Sequence, residues 1–370
     1  MASRTISVTP FRAPLQAPFV HASARRVTAE SLIVTARSAD GPAGYGEGCP
    51  RPYVTGESLA GAIAFAQRIG SELAADVRDV ADLRAWIARE TSLVDANPAA
   101  FCALEMALID VLARERDCSA EALLGLPELA GTFRYTAVMG DSDAEAFARL
   151  FRRYRDAGFR DFKVKLSGDP DRDRAKLAIL DAPAAGGDSL RIRVDANNRW
   201  RRADECIAFL GALARPLFAV EEPLGARDFD GLLAVAAATG ARIVLDESFL
   251  RAADLRELAP TAPHWLLNCR VSKHGGVIRS LAVVAEARRL GFQLIVGAHV
   301  GETSLLTRAA LPVARAAGPA LVGQEGAFGT HLLSRDPCTP LLMFSGHGEL
   351  QAPGEGPDDG LGWGISVGLE

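Results

Sequence analysis

The amino-acid sequence predicts an α/β protein built on a (β/α)8 barrel with a smaller α+β capping domain before it. Three observations carry this prediction. The 370 residues exceed the usual size of one hydrophobic core, so a domain of about 200 to 250 residues plus a smaller one is expected. Eight short apolar segments follow at nearly even spacing in the later two thirds of the chain. Amphipathic helical patterns separate these segments, as parallel strands require.

The eight apolar segments have the length and character of strands buried in a parallel sheet. They are Arg134–Met139, Asp161–Leu166, Ser189–Asp195, Phe218–Glu221, Ala241–Asp246, Trp265–Asn268, Gln293–Val296 and Leu321–Glu325. The helix after the first segment begins with the capping box Ser142-Asp143-Ala144-Glu145. A barrel of eight strand-helix units is therefore predicted over residues 131–340.

Residues 1–130 follow another pattern, with β structure first and helices afterwards. Thr5–Pro10 and Glu30–Ser38 are predicted strands, and the glycine- and proline-rich stretch Gly41–Gly56 is a predicted loop. Ala99–Ala113 is apolar nearly all round, which predicts a buried helix. We expect this part to form the α+β capping domain.

Composition excludes several classes of function. The formal net charge is -5 and no lysine or arginine cluster is interleaved with aromatic residues, so nucleic acid is not expected as a partner. No apolar run approaches the roughly 18 residues that cross a membrane. The six cysteines lie far apart without a CxxC pair, which argues against a zinc site or a disulfide framework. We expect a cytoplasmic protein.

Polar residues recur at the ends of the predicted strands, about once per strand-helix unit. They are separated by intervals of 24 to 30 residues, and they are Lys165, Asp195, Glu221, Asp246, Arg270, His299 and Glu325. The carboxyl ends of all strands of a (β/α)8 barrel meet at the face that holds the active site. These side chains are therefore predicted to converge.

Three of these residues are acids on consecutive strands: Asp195, Glu221 and Asp246. Converging carboxylates repel one another unless a cation lies between them. Oxygen ligands without cysteine or histidine favour Mg2+ or Mn2+ over zinc. The alternative is that each acid caps the helix that follows it.

The second strand carries two lysines, Lys163 and Lys165, which alternation directs to the same side, into the barrel mouth. A lysine beside another lysine and a dication is expected to have a depressed pKa, so it can act as a base near neutral pH. The alternative is a pair of lysines that extend into solvent at a strand edge.

These motifs together resemble the enolase superfamily. The chain shows K-x-K at Lys163, D-x-N at Asp195, E-E-P at Glu221 and D-E-S at Asp246, followed by N-x-R-x-x-K-x-G-G from Asn268. The pattern is most similar to that of the muconate-lactonizing-enzyme (muconate cycloisomerase) subgroup. The resemblance covers nearly the whole chain and implies that the glycine-rich C-terminal segment, residues 341–370, returns to the cap.

The resemblance implies a shared first step, in which a metal holds a substrate carboxylate and a base removes the α-proton to give an enediolate. Carried over by position, Asp195, Glu221 and Asp246 become the metal ligands and Lys165 the acid/base. The supporting residues that it implies are Lys163, which would neutralise the enolate oxygen, and Asn197, Glu247 and Lys273, which would lie behind the ligands.

One position departs from the subgroup, because Arg270 stands where its sixth strand normally carries a lysine facing Lys165. Arginine stays protonated at physiological pH and is a poor proton acceptor. Racemisation needs a base on each face of the carbon, whereas cycloisomerisation or elimination on one face needs only Lys165 and a cation opposite. We therefore expect cycloisomerase or syn-elimination (lyase) chemistry.

Two alternatives stay open. His299 on the seventh strand could supply a second base, as a strand-end histidine does in the mandelate-racemase branch, which would make the protein a racemase or epimerase of an (N-acyl) amino acid or hydroxy acid. The barrel could also be a binding protein that has lost catalysis. Glu325 stands alone at the end of strand eight, without the D-x-D of dipeptide epimerases, which argues against a dipeptide substrate.

Substrate specificity in this family comes from two cap loops, expected here at Ala17–Arg25 and Cys49–Gly56. The candidate substrate-binding residues are Phe19, His21, Tyr53, Thr55, Glu302 and Glu325. The expected partner is a small-molecule carboxylate, and the resemblance implies a homo-oligomer.

Overall fold

The computed structural model describes residues 4–21, 24–39, 41–181, 190–353 and 360–369. The first 130 residues begin with a three-stranded antiparallel sheet of β1 (Arg4–His21), β2 (Ala24–Ser38) and β3 (Ala43–Gly48), with β2 in the middle. β1 and β2 extend well beyond the predicted strands, because each pairs with the other along almost its whole length. Of the predicted lid loop Ala17–Arg25, the described residues 17–21 and 24–25 consequently lie in the two strands of this hairpin.

The presence of β3 corrects the prediction of a loop over Gly41–Gly56. Its glycines lie directly against a helix, and a Cβ atom on Gly46 would come within 2.0 Å of the carbonyl oxygen of Ala103. Glycine in a strand marks such a close backbone approach, whereas in the sequence it indicates a loop.

Five helices follow β3, and Ser58, Asp79 and Ser119 cap three of them through side-chain oxygens. They are α1 (Leu59–Asp76), α2 (Val80–Arg89), α3 (Thr91–Ala96), α4 (Pro98–Arg114) and α5 (Ala120–Leu124). The predicted buried helix is confirmed as α4, which is buried over almost its entire length.

The short strand β4 (Thr132–Arg134) precedes the eight parallel strands of the barrel, which confirm the predicted fold class. These eight are β5 (Ala137–Met139), β6 (Asp161–Lys165), β7 (Arg191–Asp195), β8 (Ala219–Glu221), β9 (Arg242–Leu245), β10 (Trp265–Cys269), β11 (Gln293–Val296) and β12 (Leu321–Gln324). They neighbour one another in chain order, and the amide of Thr136 joins the two edges by donating to the carbonyl oxygen of Gln324 at 2.7 Å. Arg134 was predicted in the first barrel strand but lies in β4, and Ser189 is outside the described residues.

In the part of the chain that the structure describes, seven α-helices alternate with the barrel strands. They are α6 (Ala144–Asp156), α7 (Pro170–Ile179), α8 (Ala203–Ala212), α9 (Phe229–Thr239), α10 (Asp254–Leu258), α11 (Val277–Arg289) and α12 (Ser304–Ala317). The carboxylate of Asp143 caps α6 in place of the predicted Ser142. Within the described residues the eighth strand leads into a 3-10 turn, Gly329–His331, which corrects the expectation of a full eighth helix. None of the described helices is long and apolar enough to cross a membrane.

The C-terminal residues form β13 (Cys338–Thr339), β14 (Glu349–Gln351) and β15 (Ser366–Val367). β14 pairs with β4, and β13 pairs with β15. Trp363 is buried against α4, where its amide donates to Asp110 and its indole Nε1 donates to the carbonyl oxygen of Met106. The chain end therefore contacts the first 130 residues.

Candidate active site

The register of the barrel strands brings the acids and lysines together. Lys165 is the in-register neighbour of Asp195, which in turn neighbours Glu221, at the carboxyl ends of β6, β7 and β8. Asp246 follows the end of β9. All four side chains are buried. The structure therefore places these residues together at one end of the barrel, as the cadence of the sequence predicts.

Lys163 is surrounded by three carboxylates. Its Nζ is 2.8 Å from Glu325 Oε2, 3.3 Å from both carboxylate oxygens of Glu221 and 3.6 Å from Asp195 Oδ2. Burial alone would lower the pKa of Lys163, but the surrounding carboxylates outweigh it and raise the pKa above its usual value. In these surroundings Lys163 therefore carries a positive charge, and the expectation of a depressed pKa for a lysine beside another lysine and a dication stays a prediction.

Lys165 is closer to the cavity and has fewer partners. Its Nζ donates to Asp195 Oδ2 at 2.5 Å and to Asn197 Oδ1 at 3.0 Å. Asn197 adopts a left-handed backbone conformation with φ of 51°, which asparagine tolerates better than most residues. Asn197 contacts both groups, because its side-chain oxygen accepts from Lys165 and its backbone amide donates to Asp195 Oδ1 at 3.1 Å.

Asp246 is held by two cationic side chains. The guanidinium group of Arg270 donates to Asp246 Oδ2, and Lys273 Nζ is 2.9 Å from Asp246 Oδ1. Lys273 also donates to the carbonyl oxygens of Asp246 and Asn268, at 2.9 and 2.7 Å. Lys273 therefore braces the ends of β9 and β10 behind the site.

Among the described residues, no three acidic, histidine or cysteine side chains are arranged around one point as metal ligands, and each of the three acids instead contacts a lysine or an arginine. Their chemistry nevertheless fits a divalent cation. Burial, with Asp195 as the nearest repelling carboxylate, raises the pKa of Glu221 to about 8. Three buried carboxylates of this kind form an oxygen-only donor set that a hard dication would neutralise.

Glu222 is a functional residue that the sequence reasoning missed. Its carboxylate accepts hydrogen bonds from the amides of Asp246 and Ser248, each at 2.7 Å, and from the Ser248 hydroxyl at 2.8 Å. The doublet Glu221-Glu222 directs one carboxylate into the barrel and the other away from it. Glu222 thereby holds the loop that carries Asp246.

Glu247 was expected to support the ligands, and the structure corrects this. Within the described residues its carboxylate makes no hydrogen bond, and it lines the cavity over the site. Burial, with help from Asp246 and Glu222, raises the pKa of Glu247 to about 8. The supporting role belongs to Glu222.

Arg270 and His299 form a pair on the side of the barrel opposite β6. Arg270 Nη1 lies 3.0 Å from His299 Nδ1. Since a guanidinium group can only donate, Nδ1 must accept, which leaves the ring proton on Nε2. That Nε2 is buried and has no partner among the described residues. Burial, with Arg270 and Arg51 adding to it, lowers the pKa of His299 well below its usual value, so the ring is neutral.

The two remaining predicted acids differ in their surroundings. Glu302 Oε1 accepts from the amide of His299 at 2.6 Å, and burial raises the pKa of Glu302 to about 8. Glu325 accepts from Lys163 and from Arg193, whose Nη2 is 2.5 Å away, and despite burial these cations lower its pKa well below the usual value. Arg193 is fully buried inside the barrel and was not predicted, although an inward-facing arginine in a strand is itself a signal.

A cavity of about 540 Å3 lies over the site, and its charged lining includes Lys163, Lys165, Asp246, Arg270 and Glu325 but neither Asp195 nor Glu221. Of the predicted lid residues, Phe19 and Tyr53 line it. Thr55 does not, because its hydroxyl donates to Glu57 at 2.9 Å, and the side chain of His21 is outside the described residues. Away from the charged floor the wall is mostly apolar. Its apolar members include Val138, Ala146, Leu150, Tyr154, Ala327, Phe328 and Leu332.

Two family models match the chain. The model described as mandelate racemase / muconate lactonizing enzyme, N-terminal domain, matches residues 3–125, and the model described as enolase C-terminal domain-like matches residues 146–369. Together they span both halves of the fold.

Characterised proteins of similar sequence include an aromatic dipeptide epimerase from Herpetosiphon aurantiacus, 30% identical over 80% of this chain and 82% of the relative. A hydrophobic dipeptide epimerase from Citrifermentans bemidjiense is 31% identical over 81% of this chain and 82% of its own. A crystal structure of a dipeptide epimerase from Methylococcus capsulatus, complexed with Mg and the dipeptide L-Arg-D-Lys, superposes with a TM-score of 0.82 at 29% identity and covers 99% of both chains.

Proposed function

Since this chain belongs to the mandelate racemase / muconate lactonizing enzyme family of the enolase superfamily, we propose that it removes the α-proton of a small carboxylate with Lys165 as the base. The observation that carries the proposal is that Lys165 lies on the cavity side of the site and faces an arginine across it, where a second amine would otherwise stand. The product of the first step is an enediolate.

We further propose that Asp195, Glu221 and Asp246 hold Mg2+, or Mn2+ in its place. The related dipeptide epimerase from Methylococcus capsulatus was solved with Mg, which supports this choice. When bound, the cation would stabilise negative charge on the substrate carboxylate oxygens. Glu222 would keep Asp246 in place through its amide hydrogen bonds.

Lys163 and Lys165 have different proposed roles. Lys163 lies among three carboxylates and keeps its proton, so it supplies fixed positive charge beside the enolate oxygen. Lys165 has only Asp195 and Asn197 as partners and lies toward the cavity, where it can accept the α-proton and return it.

The opposite face of the substrate would meet groups that do not exchange protons near neutral pH. Arg270 stays protonated, and His299 presents a neutral Nε2–H that can donate a hydrogen bond to a substrate oxygen. Proton removal and return on one face favours cycloisomerisation or syn-elimination, as we expected from the sequence.

The relatives favour a second candidate more directly than the first. Those described above are dipeptide epimerases, which supports a racemase or epimerase that uses Lys165 on one face and His299 on the other. Against a dipeptide with a free ammonium group, Glu325 at the end of β12 is already engaged by Lys163 and Arg193. An N-acyl amino acid avoids this conflict.

Incubation in deuterated buffer with Mg2+ tests both candidates. The panel contains N-acyl amino acids, dipeptides, muconates and hydroxy acids, and NMR and chiral chromatography follow the α-carbon. Deuterium incorporation with retained configuration, or loss of a β-substituent, supports one-face chemistry. Inversion supports the epimerase. Absence of exchange with every compound contradicts the proposed function as a whole.

The variant Arg270→Lys sharpens the distinction. A lysine at this position restores an amine opposite Lys165, so inversion should begin or increase at least tenfold if the wild type works on one face. An Arg270→Gln variant provides the matched control, since it removes the guanidinium charge without adding a base. Equal inversion by wild type and Arg270→Lys would rule out the one-face mechanism.

A further inference from the structure

One side of the active-site cavity is apolar, and the reaction proposed above gives it no role. We call this side the apolar wall. It belongs to the same cavity as Lys165 and Arg270, and its side chains come from the helix α6 and from the residues that follow β12. They are Ala146, Leu150, Tyr154, Ala327, Phe328 and Leu332.

The helix α6 carries two apolar faces, although its contact with the barrel uses only one. Phe147 and Phe151 are buried in the core. Ala146 and Leu150 each precede one of these phenylalanines, are only half-buried and line the cavity. Since residues four apart lie on the same side of a helix, Ala146, Leu150 and Tyr154 form one stripe along the cavity.

The cavity reaches this stripe because no full helix follows the eighth strand in the part of the chain that the structure describes. In a complete (β/α)8 barrel the eighth helix would pack in the outer ring beside the first one. Here the 3-10 turn Gly329–His331 follows β12 instead, and the cavity extends from the strand ends to the side of α6. The active site therefore has room beyond its charged floor.

Aromatic contacts hold the apolar wall in shape. The rings of Tyr154 and Phe328 meet edge to face with their centres 6.5 Å apart, and the buried Phe344 packs against them at 6.3 and 5.2 Å. Phe344 also stacks on His331, whose Nε2 donates to the carbonyl oxygen of Phe344 at 3.0 Å. The wall is thus formed before a ligand arrives, as is usual for small-molecule sites.

Two charged side chains also line the cavity on the α6 side. Asp141 already accepts hydrogen bonds from Arg172 and Lys176, at 2.9 and 3.0 Å, and Arg153 is exposed to solvent. The six side chains of the wall carry no charge. A charged group placed against them would lose water without gaining a partner, whereas an apolar group is favoured there.

We propose that the apolar wall binds an apolar group of the substrate, an alkyl or aryl group on the α-nitrogen or the α-carbon, and that Ala146 and Leu150 select its size. This assignment rests on the proposed function, because the substrate carboxylate and α-carbon would lie at the three acids and Lys165. Each methylene group buried against the wall should strengthen binding roughly fourfold.

Isothermal titration calorimetry in the presence of Mg2+ tests this assignment with two series of N-acyl amino acids. In the first series the acyl group on glycine lengthens from acetyl to butanoyl to hexanoyl. In the second the acyl group stays acetyl, and the amino acid changes from alanine to norvaline to norleucine. We expect the affinity to rise at least tenfold along at least one series, and that series identifies the atom that carries the apolar group. No rise along either series would overturn the proposal.

The variant Ala146→Phe fills part of the space in front of the apolar wall. The ratio of affinities for the longest and shortest members of the rising series should fall at least tenfold. Ala144→Phe is the matched control, since it makes the same change at an exposed residue of α6 outside the cavity lining, and it should alter the ratio less than twofold. Leu150→Gln makes the wall polar without adding volume and should lower the ratio as well. Equal ratios in Ala146→Phe, Leu150→Gln and the control would contradict the proposal.

Deuterium exchange at the α-carbon of the same compounds separates this assignment from the proposed function. Binding that depends on chain length without any exchange would support the apolar wall and contradict the proposed function. Exchange whose rate and affinity do not depend on chain length would support the proposed function and overturn the role of the wall.

Discussion

Buried carboxylates are satisfied in two different ways in this molecule. In the seam between the first 130 residues and the barrel, Glu47 and Glu105 accept hydrogen bonds from backbone amides at the starts of two barrel helices. In the barrel mouth, Asp195, Glu221 and Asp246 face lysines, an arginine and one another. Both groups are equally buried, so burial alone does not identify an active site.

The seam carboxylates bind the starts of two helices: Glu105 replaces a missing cap on α11, and Glu47 supports Thr303, whose own hydroxyl already caps α12. The residue before α11 is Gly276, which has no side chain to cap the helix, and Glu105 accepts from the amides of Val277 and Ile278 at 2.6 and 2.8 Å instead. A Cβ atom on Gly276 would lie 2.2 Å from Glu105 Oε2. Glu47 accepts from the amide and hydroxyl of Thr303 before α12, at 3.1 and 2.6 Å. Amides at a helix start favour a negative charge.

The mouth carboxylates accept fewer hydrogen bonds from backbone amides, and their negative charges repel one another. This difference indicates that the partners of a buried acid, rather than its burial, distinguish a structural acid from a functional one. Loss of a seam acid should lower stability and spare chemistry, whereas loss of a mouth group should do the reverse. The predictions below test this contrast, from the largest expected effect to the smallest.

Removal of the proposed base should have the largest effect. In Lys165→Ala the rate of α-proton exchange should fall by about 10^3-fold, because positioned proton transfer contributes about 10^2 to 10^4. Lys165→Arg is the matched control, since it keeps the charge but cannot accept a proton, and it should lose activity similarly. The exchange assay measures both, and circular dichroism checks the fold. Full turnover by Lys165→Ala would exclude this residue as the base.

The second-largest effect should be on the affinity for Mg2+, which should distinguish the mouth acids from the seam acids. Asp246→Asn should weaken Mg2+ binding on the order of a hundredfold, about 3 kcal/mol, because it removes one of three anionic oxygen donors. Glu105→Gln makes the same chemical change in the seam and should leave Mg2+ affinity unchanged. Calorimetric titration of Mg2+ measures both variants. Equal losses in the two variants would remove the distinction between seam and mouth.

The positions of the strands and the convergence of Lys165, Asp195 and Glu221 could be predicted because both are local properties. A strand buried on both faces is a continuous apolar run, and a polar residue at its end stands out. The strand β3 could not be predicted, because its glycines are there for contact with α4, which is far away in sequence. The same limit applies to Glu105, which meets α11 more than 170 residues later.

Side-chain direction and charge environment were also beyond the sequence. The doublets Glu221-Glu222 and Asp246-Glu247 each contain two acids, and only the backbone decides which one points into the barrel. The expectation of a depressed lysine pKa in the Lys163/Lys165 pair considered only cationic neighbours. The carboxylates of Glu221, Glu325 and Asp195, which come from three other strands, surround Lys163 and raise its pKa.

Stability should respond to loss of a seam acid. Glu105→Ala should lower the free energy of unfolding by about 2 kcal/mol, since it leaves two buried helix amides without acceptors. The exchange rate per folded molecule should stay within twofold of wild type. Urea denaturation followed by circular dichroism measures the first quantity. Unchanged stability would show that water or a neighbour replaces the carboxylate.

The smallest effect should be a change in the pH dependence of stability. Burial raises the pKa of Glu105 to about 7, although its backbone hydrogen bonds oppose the shift. A carboxyl group whose pKa is higher in the folded than in the unfolded state binds more protons when folded, so its contribution to stability is full below about pH 4 and declines as pH rises toward 7. Glu105→Gln removes this group, and the decline in unfolding free energy between pH 5 and pH 7 should become shallower by on the order of 1 kcal/mol per pH unit. Urea denaturation at pH 5, 6 and 7 compares the two proteins, and Glu302 and the other buried acids contribute to both alike. Parallel curves would mean that Glu105 is ionised throughout this range, and the helix amides would then hold its charge more strongly than burial opposes it.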